Sequence, residues 1–144
     1  MDVALLLADA AQVADGKLNI LGGGWSVVGF PMGPTAIAIK ADVPWDQANI
    51  RHRFLLKLEQ TDGPPVLMPR PPQGEMAPLE IPGEFEVGRP PGMTAGASIP
   101  WVVAFTIAPL PLNPGRYQWA LTIGDQTWVA AFTVVSQVRG GPTG

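Results

Sequence analysis

Only a handful of side chains in this sequence could do chemistry. His52 is the one histidine, and there is no cysteine. Thiol nucleophiles, disulfides and thiolate metal sites are therefore excluded, and so is a multi-histidine centre. A Ser-His-Asp triad would have to use His52 with a serine and an orienting carboxylate. Ser26, Ser98 and Asp46 are the candidates, none set in a Gly-x-Ser-x-Gly elbow. The close carboxylate pairs are Asp9 with Asp15, Asp42 with Asp46, and Glu84 with Glu86. Glu84 and Glu86 are expected on one strand face, about 7 Å apart. Like-facing glutamates of this kind are ordinarily solvated, and no EF-hand spacing accompanies them. Asp9 interrupts an apolar run, where its carboxylate is suited to capping turn amides. Gly22-Gly23-Gly24 has no Lys-Ser or Lys-Thr after it, so it is no P-loop and reads as a bulge or tight turn.

The remaining candidates are contacts rather than catalysts. Trp101, Trp119 and Trp128 fall in phase with apolar neighbours and read as packing. Trp25 follows the glycine run and Trp45 follows Pro44, so both are candidates for partial exposure and for contact with a glycan, a small ligand or a partner. Trp45 fits equally as a lid over one end of the fold. Pro69-Arg70-Pro71-Pro72 matches a minimal polyproline-II ligand pattern with Arg70 as its cation, and reads equally as a rigid loop. Arg51, Arg53 and Lys57 share a strand face with Glu59, too small a basic patch for nucleic-acid affinity.

The elements that carry these residues are strands. The chain has 144 residues, 17 of them glycine and 17 proline, with 47% apolar residues and a net charge of −3. Such a turn-rich, apolar, mildly acidic composition points to an all-β domain and away from nucleic acid. The N-terminal run Val3–Ala8 lacks a positive flank and is broken by Asp9, so it reads as a first strand rather than a signal peptide. No run reaches the roughly 20 apolar residues of a membrane span, so a cytoplasmic location is expected. Asp15-Gly16 predicts a hairpin turn. Ile37, Ile39, Ala41 and Val43 alternate with Ala38, Lys40 and Asp42. His52, Phe54, Leu56 and Leu58 alternate with Arg53, Leu55 and Lys57. The strongest period-two signals are Ile99 to Ile107, Tyr117 to Ile123 and Trp128 to Val134. The nine prolines between Gly63 and Ala97 exclude long central strands there. Short edge pieces are expected at 66–68 and 84–87, with long loops over 70–77 and 88–97. Residues 1–138 are expected to form one sandwich domain and 139–144 a flexible tail.

Asn113-Pro114-Gly115-Arg116-Tyr117 places the only tyrosine just after a turn at a strand start, like the tyrosine corner of immunoglobulin-like sandwiches. The opening, Leu5 to Val13 followed by Asp15-Gly16-Lys17-Leu18-Asn19-Ile20-Leu21-Gly22-Gly23-Gly24-Trp25, resembles a family of small uncharacterised bacterial domains. The resemblance covers mainly residues 1–60. It implies an immunoglobulin-like fold and a bacterial cytoplasmic setting, and supplies no catalytic residues.

The expectation is thus an all-β, immunoglobulin-like β-sandwich with an N-terminal hairpin and long Pro/Gly-rich loops. The expected role is a non-enzymatic protein-interaction or structural domain, self-associating through edge strands or an exposed sheet face. No cofactor, metal, nucleic acid or membrane is implied. The alternative is a small-ligand or glycan-binding module using Trp25 or Trp45, and a hydrolase using His52 has the least support.

Overall fold

The computed structural model describes residues 1–70 and 74–136. The chain folds as an all-β sandwich. One sheet, sheet A, has the order β2-β1-β4-β9, with β1 Asp2–Ala14, β2 Lys17–Gly23, β4 Thr35–Val43 and β9 Ile99–Ile107. Sheet B has the order β3-β11-β10-β5-β8, with β3 Val27–Gly29, β5 His52–Gln60, β8 Glu80–Phe85, β10 Gly115–Ile123 and β11 Gln126–Val135. A two-stranded ribbon of β6 Leu67–Arg70 and β7 Glu75–Pro78 lies between β5 and β8 in the chain. The only helical piece among the described residues is a 3-10 turn, Trp45–Gln47.

Alternation along each strand decides what is buried. Ile37, Ile39 and Val43 of β4 face Leu56 and Leu58 of β5 and Trp119, Leu121 and Ile123 of β10, and all are buried in one core cluster. The expected alternation is clearest in β5 and β11, whereas in β4 the outward Ala36 and Ala38 are buried too and in β9 Trp101 to Phe105 are all half-buried. Asp15 and Gly16 have φ of 52° and 70°, the left-handed pair that a two-residue hairpin turn requires. They join β1 to β2 in the expected register, Ala14 opposite Lys17. The tyrosine corner is formed: the Tyr117 hydroxyl donates to the Asn113 carbonyl oxygen at 2.8 Å. The first strand signal, Val3–Ala8, pairs with β4 from Asp2 opposite Asp42 to Ala8 opposite Ala36.

Three expectations need correction. The loop expected over 70–77 is largely the β6–β7 ribbon, with Pro69 opposite Met76 and Arg70 opposite Glu75. A two-stranded ribbon leaves half its backbone groups facing solvent, so Pro69 and Pro78 are tolerated within it. The strand expected at 84–87 instead spans Glu80–Phe85. It is an edge strand, which accommodates Pro82, and Glu86 lies past its end. Glu84 and Glu86 therefore do not share one strand. Pro71 and Pro72 of the proline-rich motif, and the 139–144 tail, lie outside the described residues.

The two sheets present different outer surfaces. On sheet B the outward positions include Arg53, Lys57, Glu59, Gln118, Thr122, Glu80 and Glu84, together with the apolar Leu55, Ala120 and Val129. On sheet A, the rows Leu6–Ala38–Ala104 and Ala8–Ala36–Thr106 cross three strands. Charge on this face is confined to one end, where Lys40 pairs with Asp42 at 3.2 Å. The β1–β2 hairpin crowds this surface. A side chain at Gly23 would run into Ile20, Leu6 and Ala8, and Ala8, Ala36 and Ala38 are buried although they face away from the core.

Candidate functional site

Trp25 follows β2 and leads into β3, which leaves sheet A and pairs in parallel with β11 of sheet B. Its ring meets Phe132 edge-on, with centroids 6.0 Å apart. The indole is thus held against the core, and Trp25 Nε1 is buried with no hydrogen-bond partner among the described residues. An unpaired buried donor of this kind is uncommon. Trp25 lines an open cleft of about 570 Å³ together with Asp9, Gly22, Gly23, Gly24, Val28 and Thr35. Gly22 has φ of 61° and sits so close under the Asp9 carboxylate that no side chain fits there. The glycine run is therefore a kink that lets Asp9 and the backbone approach. The arrangement presents one carboxylate, one hydroxyl and one indole, and contains no nucleophile–base pair.

Trp45 sits in the 3-10 turn after β4. Arg89 lies over its ring, with the guanidinium carbon 4.5 Å from the centroid. The same guanidinium donates to the Trp45 carbonyl oxygen from Nη2 at 2.8 Å and from Nε at 3.3 Å. One face of Trp45 is thus occupied from within the chain, and the ring packs at the edge of the core. The contact pins Arg89, in the 88–97 loop, to the β4–β5 connection. Arg70 ends β6 opposite Glu75.

His52 begins β5 and is half-buried. Its Nε2 lies 3.0 Å from the Gln47 carbonyl oxygen, so that nitrogen carries the proton and donates. Its ring stacks on Phe85 at 5.1 Å, and Phe85 stacks on Trp101 at 3.9 Å with planes 9° apart. Phe54 adjoins both Phe85 and Trp101. His52 is therefore one member of an aromatic stack that closes this end of the sandwich. Among the described residues no serine hydroxyl or carboxylate is hydrogen-bonded to it. Arg51 and Arg53 converge on Glu84 at 3.6 and 3.5 Å, an exposed pairing across the β5–β8 edge. Among the described residues no group of three or more histidine and carboxylate side chains could hold a metal ion.

The structure does not bring Trp25, Trp45 and Arg70 together: they belong to three separate elements. What the sequence reading passed over is the surface of sheet A. Leu6, Val13, Ile20 and Leu21 are 36%, 43%, 40% and 71% exposed, all on β1 and β2. Arg89 was also passed over, because a lone arginine between Gly88 and Pro90 carries no pattern that announces Trp45.

A family model, that of a family of unknown function (DUF6941), matches residues 3–135. The chain belongs to this family. The match takes in every strand of both sheets, well beyond the residues 1–60 that carry the resemblance. DUF6941 is a family without an assigned activity, as that resemblance implied. No curated protein matches the chain. No helix among the described residues is long and apolar enough to cross a membrane.

Proposed function

We propose that this DUF6941 chain is a non-enzymatic, cytoplasmic protein-interaction domain whose binding layer is sheet A. The observation that carries the reading is the set of exposed apolar side chains on β1 and β2: Leu6, Val13, Ile20 and Leu21. An antiparallel sheet with one solvated face alternates apolar and polar residues, as β5 of sheet B does where Arg53, Lys57 and Glu59 flank Phe54, Leu56 and Leu58. On sheet A the β1–β2 hairpin leaves Val13, Ile20 and Leu21 exposed beside Leu6, with Ile20 and Leu21 on opposite faces of the hairpin. Covering these hairpin side chains with a protein would remove their apolar area from water, at roughly 25 cal/mol per Å². Immunoglobulin-like connectivity fits the same reading. β1, β4 and β9 follow the A-B-E order in one sheet, and β11, β10, β5 and β8 follow G-F-C-C′ in the other, with the tyrosine corner at β10. That scaffold hosts many binding roles and names none of them.

A photoreactive side chain at Leu21, compared with one at Thr127 on the opposite sheet, tests the reading in cells. Cross-linking to protein from position 21 and not from 127 is expected. Equal or absent cross-linking at both positions removes it.

The second reading, a small-ligand module at Trp25, is favoured by one observation, the open cleft that Trp25 lines together with Asp9. A ligand there would offer a donor or cation to Asp9 and an apolar surface to Trp25. Titration of tryptophan fluorescence with a panel of sugars and amino compounds tests it, using Trp25→Phe as control. A response that persists in the control sinks this reading.

A further inference from the structure

We infer that β9 is a self-pairing edge, and that two copies of this chain join β9 to β9 into one continuous sheet. The inference rests on the reading of sheet A as the interacting layer and specifies the partner as a second copy. β9 ends the sheet: it is bonded to β4 on one side and to no described strand on the other. Natural edges are guarded by charge, proline, bulges or shortness. The other edges follow that rule. β2 carries Lys17 and Gly22, β3 has three residues, and β8 carries Glu80, Pro82 and Glu84. β9 is nine residues long, Ile-Pro-Trp-Val-Val-Ala-Phe-Thr-Ile, with no charged residue and an unbroken register against β4. Its only guard is Pro100, at the second position.

The core-facing residues show the same opening. Ile37, Ile39 and Ala41 of β4 are fully buried, whereas their β9 neighbours Phe105, Val103 and Trp101 stay half-buried. Another strand beyond β9 would complete their burial.

Pro100 also tells which backbone groups face outwards. A proline fits in a sheet where its nitrogen points away from the neighbouring strand. Since antiparallel residues alternate in direction, the N–H and C=O groups of Val102, Ala104 and Thr106 then face the free edge. A two-fold axis at Val103 pairs Val102 with Ala104 of the other copy and Trp101 with Phe105. The central pairs exchange both backbone bonds, and aromatic rings meet across the seam on the core side. Because the strand is uncharged, this pairing sets no like charges opposite each other. On β8, by contrast, self-pairing would bring Glu80 and Glu84 towards one another.

The test is sedimentation velocity over a concentration series. Wild-type chain is expected to show a concentration-dependent dimer. Ala104→Pro removes an outward N–H without touching the β4 ladder, and is expected to weaken the dimer about tenfold or more while the circular dichroism stays unchanged. As a second route, Val102→Lys with Ala104→Lys in one chain opposes like charges and gives monomer. Mixing it with the Val102→Glu, Ala104→Glu chain is expected to restore a mixed dimer, which an unfolded variant could not do. Wild type that stays monomeric, or an Ala104→Pro chain that dimerises as wild type does, overturns self-pairing. If wild type stays monomeric while position 21 still cross-links to another protein in cells, self-pairing fails and the broader reading stands. If both measurements are negative, both fall.

Discussion

Replacing Gly83 by alanine isolates one steric contact at the aromatic end of the sandwich. Gly83 stands directly opposite Phe54 in the β5–β8 register. Its backbone conformation suits an L-residue, so alanine alone would gain about 0.5–1 kcal/mol from the stiffer unfolded chain. The added methyl group, however, would overlap the rim of the Phe54 ring. That ring has little room to withdraw. Phe85, Trp101 and Phe105 stand around it with centroids at 6.4, 5.7 and 6.1 Å. Overpacking of a closed core costs about 1–3 kcal/mol. Offset by the backbone gain, Gly83→Ala is expected to destabilise by about 1–2 kcal/mol, a fall in melting temperature of roughly 3–10 °C for a chain of this size. Urea unfolding at constant m reads it. The Phe54→Leu background supplies the decisive comparison. With the ring gone, the cost of Gly83→Ala should drop below about 0.5 kcal/mol. An equal cost in both backgrounds, or no cost in wild type, refutes the argument that the ring is what excludes a side chain at position 83.

Tyr117→Phe removes the hydroxyl that donates to Asn113 and is expected to lower stability by about 0.5–1.5 kcal/mol in urea unfolding, with the far-ultraviolet spectrum unchanged. Arg89→Ala uncovers one face of Trp45 and frees its carbonyl oxygen. Faster amide exchange in the 45–49 turn is expected, with a stability loss of about 0.5–1 kcal/mol, and unchanged exchange there would deny that Arg89 pins this turn. Glu84→Gln dissolves the exposed pairing with Arg51 and Arg53, and a change of less than about 0.5 kcal/mol is expected; a loss of 2 kcal/mol or so would contradict the view that this edge pairing contributes little.

Local pattern was legible where one strand face met the core. Tyr117 to Ile123 and Ile99 to Ile107 announce themselves because burial on one side imposes a period of two. The Asp15-Gly16 turn and the tyrosine corner were legible for a different reason: each needs specific residues at fixed positions. The β6–β7 ribbon was not legible, since Pro69 and Pro78 argue against a central strand and say nothing about a two-stranded one. β8 was misplaced because Pro82 and Gly83 look like breakers. In the fold, Pro82 lies on an edge, and Gly83 leaves the space that Phe54 fills. Strand order was beyond the sequence altogether. The residues from Ile99 to Ile107 read as a strand buried on one face, and only the topology shows that no described strand pairs their far side. For the same reason Trp25 and Trp45 stood out as aromatic residues near breaks, while the exposed Leu6, Val13, Ile20 and Leu21, spread over β1 and β2, did not.

The most direct test of the interaction reading is native mass spectrometry of the chain isolated gently from its own cells. The account predicts a species heavier than the 15.2 kDa chain by at least one further protein mass, in fixed stoichiometry. A bare 15.2 kDa species, or one carrying only a small adduct, would contradict it and shift the weight to the Trp25 cleft.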